Sequence, residues 1–306
     1  MKKTLTVFTP TYNRAYCLHL LYESLLRQTS PDFEWLVVDD GSSDDTRQLV
    51  QRWKAENKVV INYVYKENGG MHTGHNTAYS IIDTKLNVCI DSDDWLPDNG
   101  VEKIVGLWNE HGSDRYAGII GLDEFANNGK IVGNKFPDDL QECLYSELKP
   151  KYGVWGDKKI IFRTDVVRQL APYPVFPAER FVPLYYPIVV DQQYKLLVFN
   201  EVFCIVDYQT DGSTLNIYDQ YFRHPKGFSY SRTIEMQNLP TFIMRFKSAM
   251  HYIATSVISR NWSFVGQSPK PFLTLLALPF GLMLYFFLLT RKNKKRDISK
   301  YLKKEE

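Results

Sequence analysis

Three carboxylates fall within four residues at Asp91-Ser92-Asp93-Asp94, directly after the apolar run Asn87–Ile90. Along an extended chain, alternate side chains share a face, so Asp91 and Asp93 are expected to point the same way. Two hard oxygen ligands on one side suit Mg²⁺ or Mn²⁺, with phosphate oxygens completing the shell. The competing explanation is an acidic loop capping a helix near 98–111. A second acidic run, Asp39-Asp40-Gly41-Ser42-Ser43-Asp44-Asp45, follows the strand-like Glu34–Val38. A strand-end carboxylate there can accept hydrogen bonds from a nucleobase imide or from ribose hydroxyls. Ser43 or Asp44 can equally cap the helix that follows. His72 and His75 straddle the Gly-rich loop, but the six histidines show no HExxH or other ligand spacing. No GxGxxG or GxxxxGK[ST] is present, so dinucleotide and P-loop readings lack their phosphate cradles.

The elements that must position these residues alternate. Strand-like runs at 4–9, 34–38, 59–65 and 87–90 are separated by helical spacing at 16–28, 45–56 and 73–82, and a further helix is expected near 101–108. Repeated β-α units of this length imply a mostly parallel sheet covered on both faces, with ligands at the carboxyl ends of its strands. Residues 9–14, 39–42, 68–70 and 91–94 all follow such ends, so four polar, Gly- or Asp-rich loops are expected on one edge. Further strands are expected at 116–122 and 202–208, with a strand and then a helix within 158–170. Pro172, Pro174, Pro177, Pro183 and Pro187 mark an irregular segment.

Taken together, TPTYNR (9–14), LLRQT (25–29), FEWLVVDDGSSDDT (33–46), NGG (68–70), HN (75–76) and DSDDWLPD (91–98) resemble the family 2 glycosyltransferases. VDYQTDGSTLN (206–216) and QYFRHPKGF (220–228) resemble the acceptor half of bacterial members that build surface polysaccharides. The resemblance implies an α/β fold of the GT-A type and an inverting transfer from a nucleotide sugar, with UDP favoured. It places Thr11, Tyr12, Arg14 and Asp40 in the nucleoside pocket, and Asn68, Gly70 and His75 near the ribose and diphosphate. Asp91 and Asp93 fill the Asp-x-Asp pattern, with Asp93 as metal ligand and Asp94 as its competitor in a second register. The implied cofactor is a divalent cation, Mn²⁺ or Mg²⁺. The implied base is Asp191, with Val190 standing where the family commonly has an acid. Asp157 and Glu179 are held in reserve for that role. Trp155 is read either as a sugar-stacking ring or as a core residue.

The division implied is a donor half over 1–110, an acceptor half over 111–235 and a helical membrane-associating region over 236–306. Pro271–Thr290 is twenty residues without a charge, a length of ~30 Å as a helix, about the thickness of a bilayer core. Phe242, Phe246, Ala249, Ile253 and Val257 follow helical spacing and are read as an interfacial helix or as one packed on the body. Membrane contact is thus expected through 240–296. Residues 291–306 carry eight Lys/Arg and three Asp/Glu, leaving a body of −3 and a tail of +5. That balance favours anionic lipid and argues against nucleic acid. The N-terminal run is too short for a signal-peptide core, so a body on the cytoplasmic face is expected. A basic tail on that same face conflicts with a single crossing. A break at Pro279 and Gly281, turning the chain back, would resolve the conflict. Anchoring and resemblance together point to a lipid-linked glycan acceptor. The alternative is an inactive nucleotide-binding scaffold of a polysaccharide-assembly complex. A sugar-phosphate nucleotidyltransferase would need a basic Gly-rich loop where TPTYNR stands. Four cysteines without CxxC spacing exclude a disulfide scaffold or zinc finger.

Overall fold

The computed structural model describes residues 2–207 and 215–295. Residues 208–214 of the VDYQTDGSTLN match, and the basic tail from Arg296 onward, lie outside the described residues.

By packing, the chain forms two compact units: residues 1–172 with 193–208, and residues 173–192 with 209–306. Their borders follow packing rather than the donor and acceptor roles drawn at 110 and 235.

The first unit is built on one eight-stranded sheet. Its strands are β1 (Leu5–Thr11), β2 (Phe33–Asp39), β3 (Ile61–Tyr65), β4 (Leu86–Cys89), β5 (Tyr116–Phe125), β6 (Glu142–Cys143), β7 (Lys158–Arg163) and β8 (Lys195–Val206), ordered 3-2-1-4-7-5-8-6. Strands β1 to β4 are mutually parallel, β7 is antiparallel between β4 and β5, and β8 runs parallel to β5. The sheet is therefore mixed, with a parallel half where the β-α repeats lie. Strand β1 is buried along almost its whole length, as expected of a strand covered on both faces.

Helices α1 (Leu18–Leu26), α2 (Thr46–Glu56), α3 (Met71–Ile81), α4 (Gly100–His111), α5 (Leu148–Tyr152) and α6 (Thr164–Arg168) belong to this unit. Tyr22 of α1 stacks on Trp53 of α2 at 4.4 Å and lies 6.2 Å from Trp35 of β2, so three aromatics tie two helices to the sheet. Helix α2 ends at Asn57 in the left-handed conformation. Gly74 of α3 lies against Pro10: a Cβ there would come within 2.9 Å of the proline ring. That close approach keeps α3 on β1.

The expected 202–208 strand is longer, beginning at Lys195, with register shifts against β5. The polar pair Asn200-Glu201 at this irregularity hides the continuity from any alternation count.

The second unit is helical: α7 (Tyr186–Val190), α8 (Ile217–Arg223), α9 (Pro225–Asn238), α10 (Phe242–Ile258), α11 (Phe264–Gln267) and α12 (Pro271–Arg291). Ala249, Tyr252 and Ile253 of α10 pack with Met236, Phe264 and Ala277, while Ala254 packs with Tyr221, Phe228 and Leu288. Much of the apolar face of α10 is thus covered by other helices of this unit, whereas Phe242 and Ile243 at its start are exposed. Arg232 pairs with both oxygens of Glu235, which also accepts from Ser248 Oγ at 2.6 Å.

Helix α12 corrects one expectation. It runs unbroken through Pro279 and Gly281. Proline removes one backbone donor, but neighbouring turns persist and the chain does not turn back. Gly281 instead serves packing, since a Cβ there would come within 2.6 Å of Ile253. Thr274, Ala277, Gly281 and Leu288 form its covered stripe, while Phe272, Leu276, Met283 and Phe286 are exposed.

Candidate functional site

Pairing levels the strand ends on one edge. Thr11 lies opposite Asp39, and Asp39 opposite Tyr65, so the loops after β1, β2 and β3 begin side by side. They are knitted together. Asn13, in the left-handed conformation at φ 54°, accepts from Ser43 N at 2.8 Å and donates its own N–H to Ser42 Oγ at 2.9 Å. Asp44 accepts from Ala15 N at 3.0 Å and from Thr46 N at 3.0 Å. It therefore ties the loop after β1 to the first residue of α2, but the N-cap position is Asp45, which makes no side-chain capping bond, so neither Ser43 nor Asp44 is the expected cap. Burial acts to raise its pKa, but hydrogen bonds from Thr46 and Ala15 outweigh it and hold the carboxyl below its ordinary range.

Asp39 is internal, accepting from Ser42 N at 2.8 Å and from the Tyr63 hydroxyl at 2.5 Å. Asp40 faces the loop after β3. Its Oδ1 accepts from Lys66 Nζ and from Gly69 N at 2.9 Å, and its Oδ2 from Gly70 N at 2.7 Å. Asn68 Nδ2 donates to the Asp40 carbonyl at 2.9 Å. Gly41 sits where a Cβ would come within 2.8 Å of Asn68 N, and its φ of +86° also favours glycine. Thr11 is buried and its Oγ1 has no hydrogen-bond partner in the protein. Tyr12 is exposed, and half-buried Arg14 lies over the ring of Tyr16 at 5.6 Å. Thr11, Tyr12, Arg14, Asp40, Asn68 and Gly70 are thus brought to one edge.

The acidic motif is not extended. Asp94 N donates to the Asp91 carbonyl at 3.0 Å, closing a turn, so the alternation argument for Asp91 and Asp93 does not apply. The turn leaves Asp91 exposed and Asp93 half-buried. Asp94 is buried, accepting from Asp207 N at 3.2 Å and facing Cys204 Sγ at 3.8 Å. Burial pushes its pKa well above the usual carboxylate range. Among the described residues no group of three His, Cys, Asp or Glu side chains is arranged to hold a metal. Asp91 and Asp93 carry hard oxygen ligands of the kind a divalent cation takes together with substrate oxygens.

His75 is buried in α3. Its Nδ1 lies 3.3 Å from the Tyr79 hydroxyl, its Nε2 3.7 Å from Cys89 Sγ, and its ring edge-on to Phe8 at 5.1 Å. Burial lowers its pKa to about 4, so the imidazole is neutral at pH 7 and carries no charge for a phosphate. Trp155 is exposed, which removes the core reading. Asp157 is exposed in the same unit.

In the helical unit, Asp191 follows α7 directly and is largely buried. Its N–H donates to the Pro187 carbonyl at 3.1 Å. It sits at a helix end, not at a helix start. Glu179, a reserve base, is committed elsewhere: its two oxygens accept from Lys226 N at 3.1 Å and Gly227 N at 2.8 Å at the start of α9.

Three contributors escaped the sequence reading. Lys66 stands two residues before the NGG run, and only its position after a strand hinted at it. Asp123 interrupts the apolar run of β5, a visible signal. It is buried, its Oδ1 has no partner, and burial raises its pKa to about 6. Lys159, opposite Gly121, donates to the Cys89 carbonyl at 3.4 Å and gives no sequence signal. Burial works against its charge, but Cys204, Asp123, Asp94 and Asp91 hold its pKa above the ordinary lysine range.

A mixed sheet whose parallel half ends in linked polar loops and an acidic turn defines a GT-A fold. The model described as "Glycosyl transferase family 2" matches residues 6–164, just over half of the 306 residues, and the chain belongs to that family. One relative is the poly(ribitol-phosphate) beta-N-acetylglucosaminyltransferase TarS of Staphylococcus aureus. It is 30% identical over 177 residues, covering 57% of this chain and 30% of TarS. Glycosyltransferase GlyA of Streptococcus pneumoniae is 28% identical over 110 residues, covering 36% of this chain and 16% of GlyA. The first curated relatives are matched over only 21–30% of their own length. Among solved structures, S. aureus TarS 1-349 with UDP-GlcNAc aligns with a TM-score of 0.57 at 18% identity, covering 91% of this chain and 80% of that one. The mannosyltransferase PcManGT of Pyrobaculum calidifontis, with GDP-Man and Mn²⁺, aligns at 0.55 and 17%, covering 99% and 85%. At these identities the structural likeness speaks for the fold.

Proposed function

We propose that this chain is a metal-assisted inverting glycosyltransferase that moves a sugar from a UDP-sugar to a lipid-linked glycan on the cytoplasmic face of a bacterial membrane, in capsule, exopolysaccharide or related surface-polysaccharide synthesis. The observation that carries the reading is the gathering of the loops after β1, β2 and β3, and of the Asp91–Asp94 turn, on one sheet edge. Loops that link a strand-end carboxylate to a Gly-rich turn suit a nucleoside, and the acidic turn beside them suits its diphosphate. The S. aureus relative whose structure holds UDP-GlcNAc supports a UDP-sugar as donor.

In this reading Tyr12 offers its face to the base and Asp40 shapes the pocket with Gly69 and Gly70. Asp91 and Asp93 would hold the divalent cation, which when bound supplies a Lewis acid for the charge growing on the departing diphosphate. Asp191 takes the proton from the acceptor hydroxyl as that oxygen attacks the anomeric carbon. The bond from that carbon to the diphosphate breaks on the opposite face, so UDP leaves and the configuration inverts. The apolar outer surface of α12 anchors the chain where a lipid-linked acceptor resides.

The test is donor turnover by detergent-purified protein across a panel of nucleotide sugars, with Mn²⁺ or Mg²⁺ and a membrane lipid extract as acceptor. Release of UDP from one donor is expected, abolished in Asp93→Ala and reduced by about 10³-fold in Asp191→Asn, the scale on which a positioned base contributes. Nucleotide binding without turnover of any donor would leave a binding scaffold instead.

A further inference from the structure

We propose that Lys66 is a base-specificity residue: held by Asp40, it presents a cationic N–H beside the carboxylate and selects uracil over its 4-amino counterpart, cytosine. The inference rests on the donor reading above, in which the linked loops receive the nucleoside.

A carboxylate offers about four lone-pair sites. On Asp40 three are taken, by Lys66 Nζ, Gly69 N and Gly70 N. One acceptor site remains. The ammonium of Lys66 has three N–H groups. Two are directed at Asp40 Oδ1 and at the Glu67 carbonyl, 2.6 Å away. One donor remains. The Lys66 side chain is 21% accessible against 5% for Asp40, so the cation is the more exposed partner of the pair. The pair therefore shows a ligand one donor next to one acceptor.

Uracil carries the complement, a 4-carbonyl beside the N3–H. Cytosine reverses both groups, with an amino group at position 4 and a lone pair at N3. When the ribose fixes the register of the base, cytosine sets N–H against N–H and lone pair against carboxylate. A site built to hydrogen-bond one pattern rejects the reversed one because its own polar groups are left unpaired. Two further features favour a preformed pocket. Gly41 approaches Asn68 so closely that a Cβ there would come within 2.8 Å of its N, so the two loops are packed against each other. The buried Thr11 Oγ1, in the residue whose carbonyl accepts from Asp40 N at 2.8 Å, lacks a partner within the protein. If Lys66 were only a loop-stabilising ion pair, its loss would weaken both nucleotides alike.

The experiment is equilibrium titration of UDP and CDP, each with Mg²⁺, into the full detergent-solubilised chain and into Lys66→Met and Lys66→Gln. Wild type is expected to prefer UDP by about tenfold or more, the scale of one charge-assisted hydrogen bond. Lys66→Met should bind UDP about tenfold more weakly and bring the two nucleotides within about threefold. Lys66→Gln keeps an N–H without the charge, so it should retain part of the preference. It decides the matter if the methionine variant fails to fold. An unchanged UDP-to-CDP ratio in the variants, or equal weakening of both, overturns the specificity role. Equal binding of both by wild type overturns it too, while leaving the donor reading standing. A wild type that binds no nucleotide overturns the donor reading and this inference with it.

Discussion

Asp93 and Asp94 are neighbours with opposite situations. Asp93 is half-buried at the open side of the turn, whereas Asp94 is buried and receives hydrogen bonds from β8 and the residue after it. An amide at position 94 keeps an acceptor oxygen for Asp207 N and places no charge in a buried site. Asp94→Asn is therefore expected to keep Mn²⁺-dependent UDP binding within about threefold, and Asp93→Asn to weaken it by about tenfold or more, as loss of one charged ligand does. Titration calorimetry with UDP and Mn²⁺ separates the two, and the reverse order would reassign the metal ligand. The motif itself was plain in the sequence, but its geometry was not. Counting alternation assumes an extended chain, and one backbone hydrogen bond from Asp94 N to the Asp91 carbonyl removes that assumption. The burial of His75 and the backbone partners of Glu179 were hidden from the sequence for a related reason. Residue type announces what a side chain can do, while burial and existing partners decide what it is still able to do.

Between elements, α12 packs closely on α10 in the helical unit. Gly281→Leu should force the helices apart, because even a Cβ would come within 2.6 Å of Ile253. Overpacking of this kind costs about 1–3 kcal/mol. A thermal melt in detergent should show the loss, and Ile253→Ala in the same chain should restore part of it. His251 of α10 makes this unit acid-sensitive. Burial, helped by repulsion from Arg232 and opposed by Glu235, lowers its pKa from 6.5 to about 4, and its Nδ1 lies 2.9 Å from the Tyr221 hydroxyl. Between these two values the unfolded chain binds a proton that the folded chain refuses. The contribution is complete above pH 6.5 and lost as the pH falls towards 4, by up to about 3 kcal/mol. Denaturant midpoints at pH 7 and pH 4.5 should differ less in His251→Gln than in wild type. The β-α half was legible at this scale because each element carries its own period and its own stop signal. The helical unit was less so. Apart from α10, its helices are short or draw their burial from partners distant in sequence.

For the molecule as a whole, α12 raises the question of what covers it. It is the one helix among the described residues that is long and apolar enough to cross a membrane, and only 22% of its apolar window is buried. Glutamate at Leu276, Met283 and Phe286 should move the protein from the carbonate-resistant membrane fraction to the supernatant while UDP binding persists. Retention in the membrane would place the anchor elsewhere. Twenty uncharged residues made this segment legible, yet not its course. Pro279 and Gly281 read as a break in isolation and become a continuous helix once Ile253 supplies a surface for Gly281.

The acidic turn also has a history within each chain that is made. Asp94 takes its hydrogen bond from Asp207, 113 residues later. Trp95, beside it, exchanges two backbone hydrogen bonds with Ile205, at 3.0 and 2.7 Å. At about 5–20 residues per second, a ribosome needs roughly 6–23 seconds to deliver those partners after the acidic turn has been made. The loops after β1, β2 and β3 bind one another and can settle early. The acidic turn waits for its partners on and beside β8. A nascent chain halted at residue 164, where the family match ends, would carry every acidic residue of the motif and still lack the strand that shapes it.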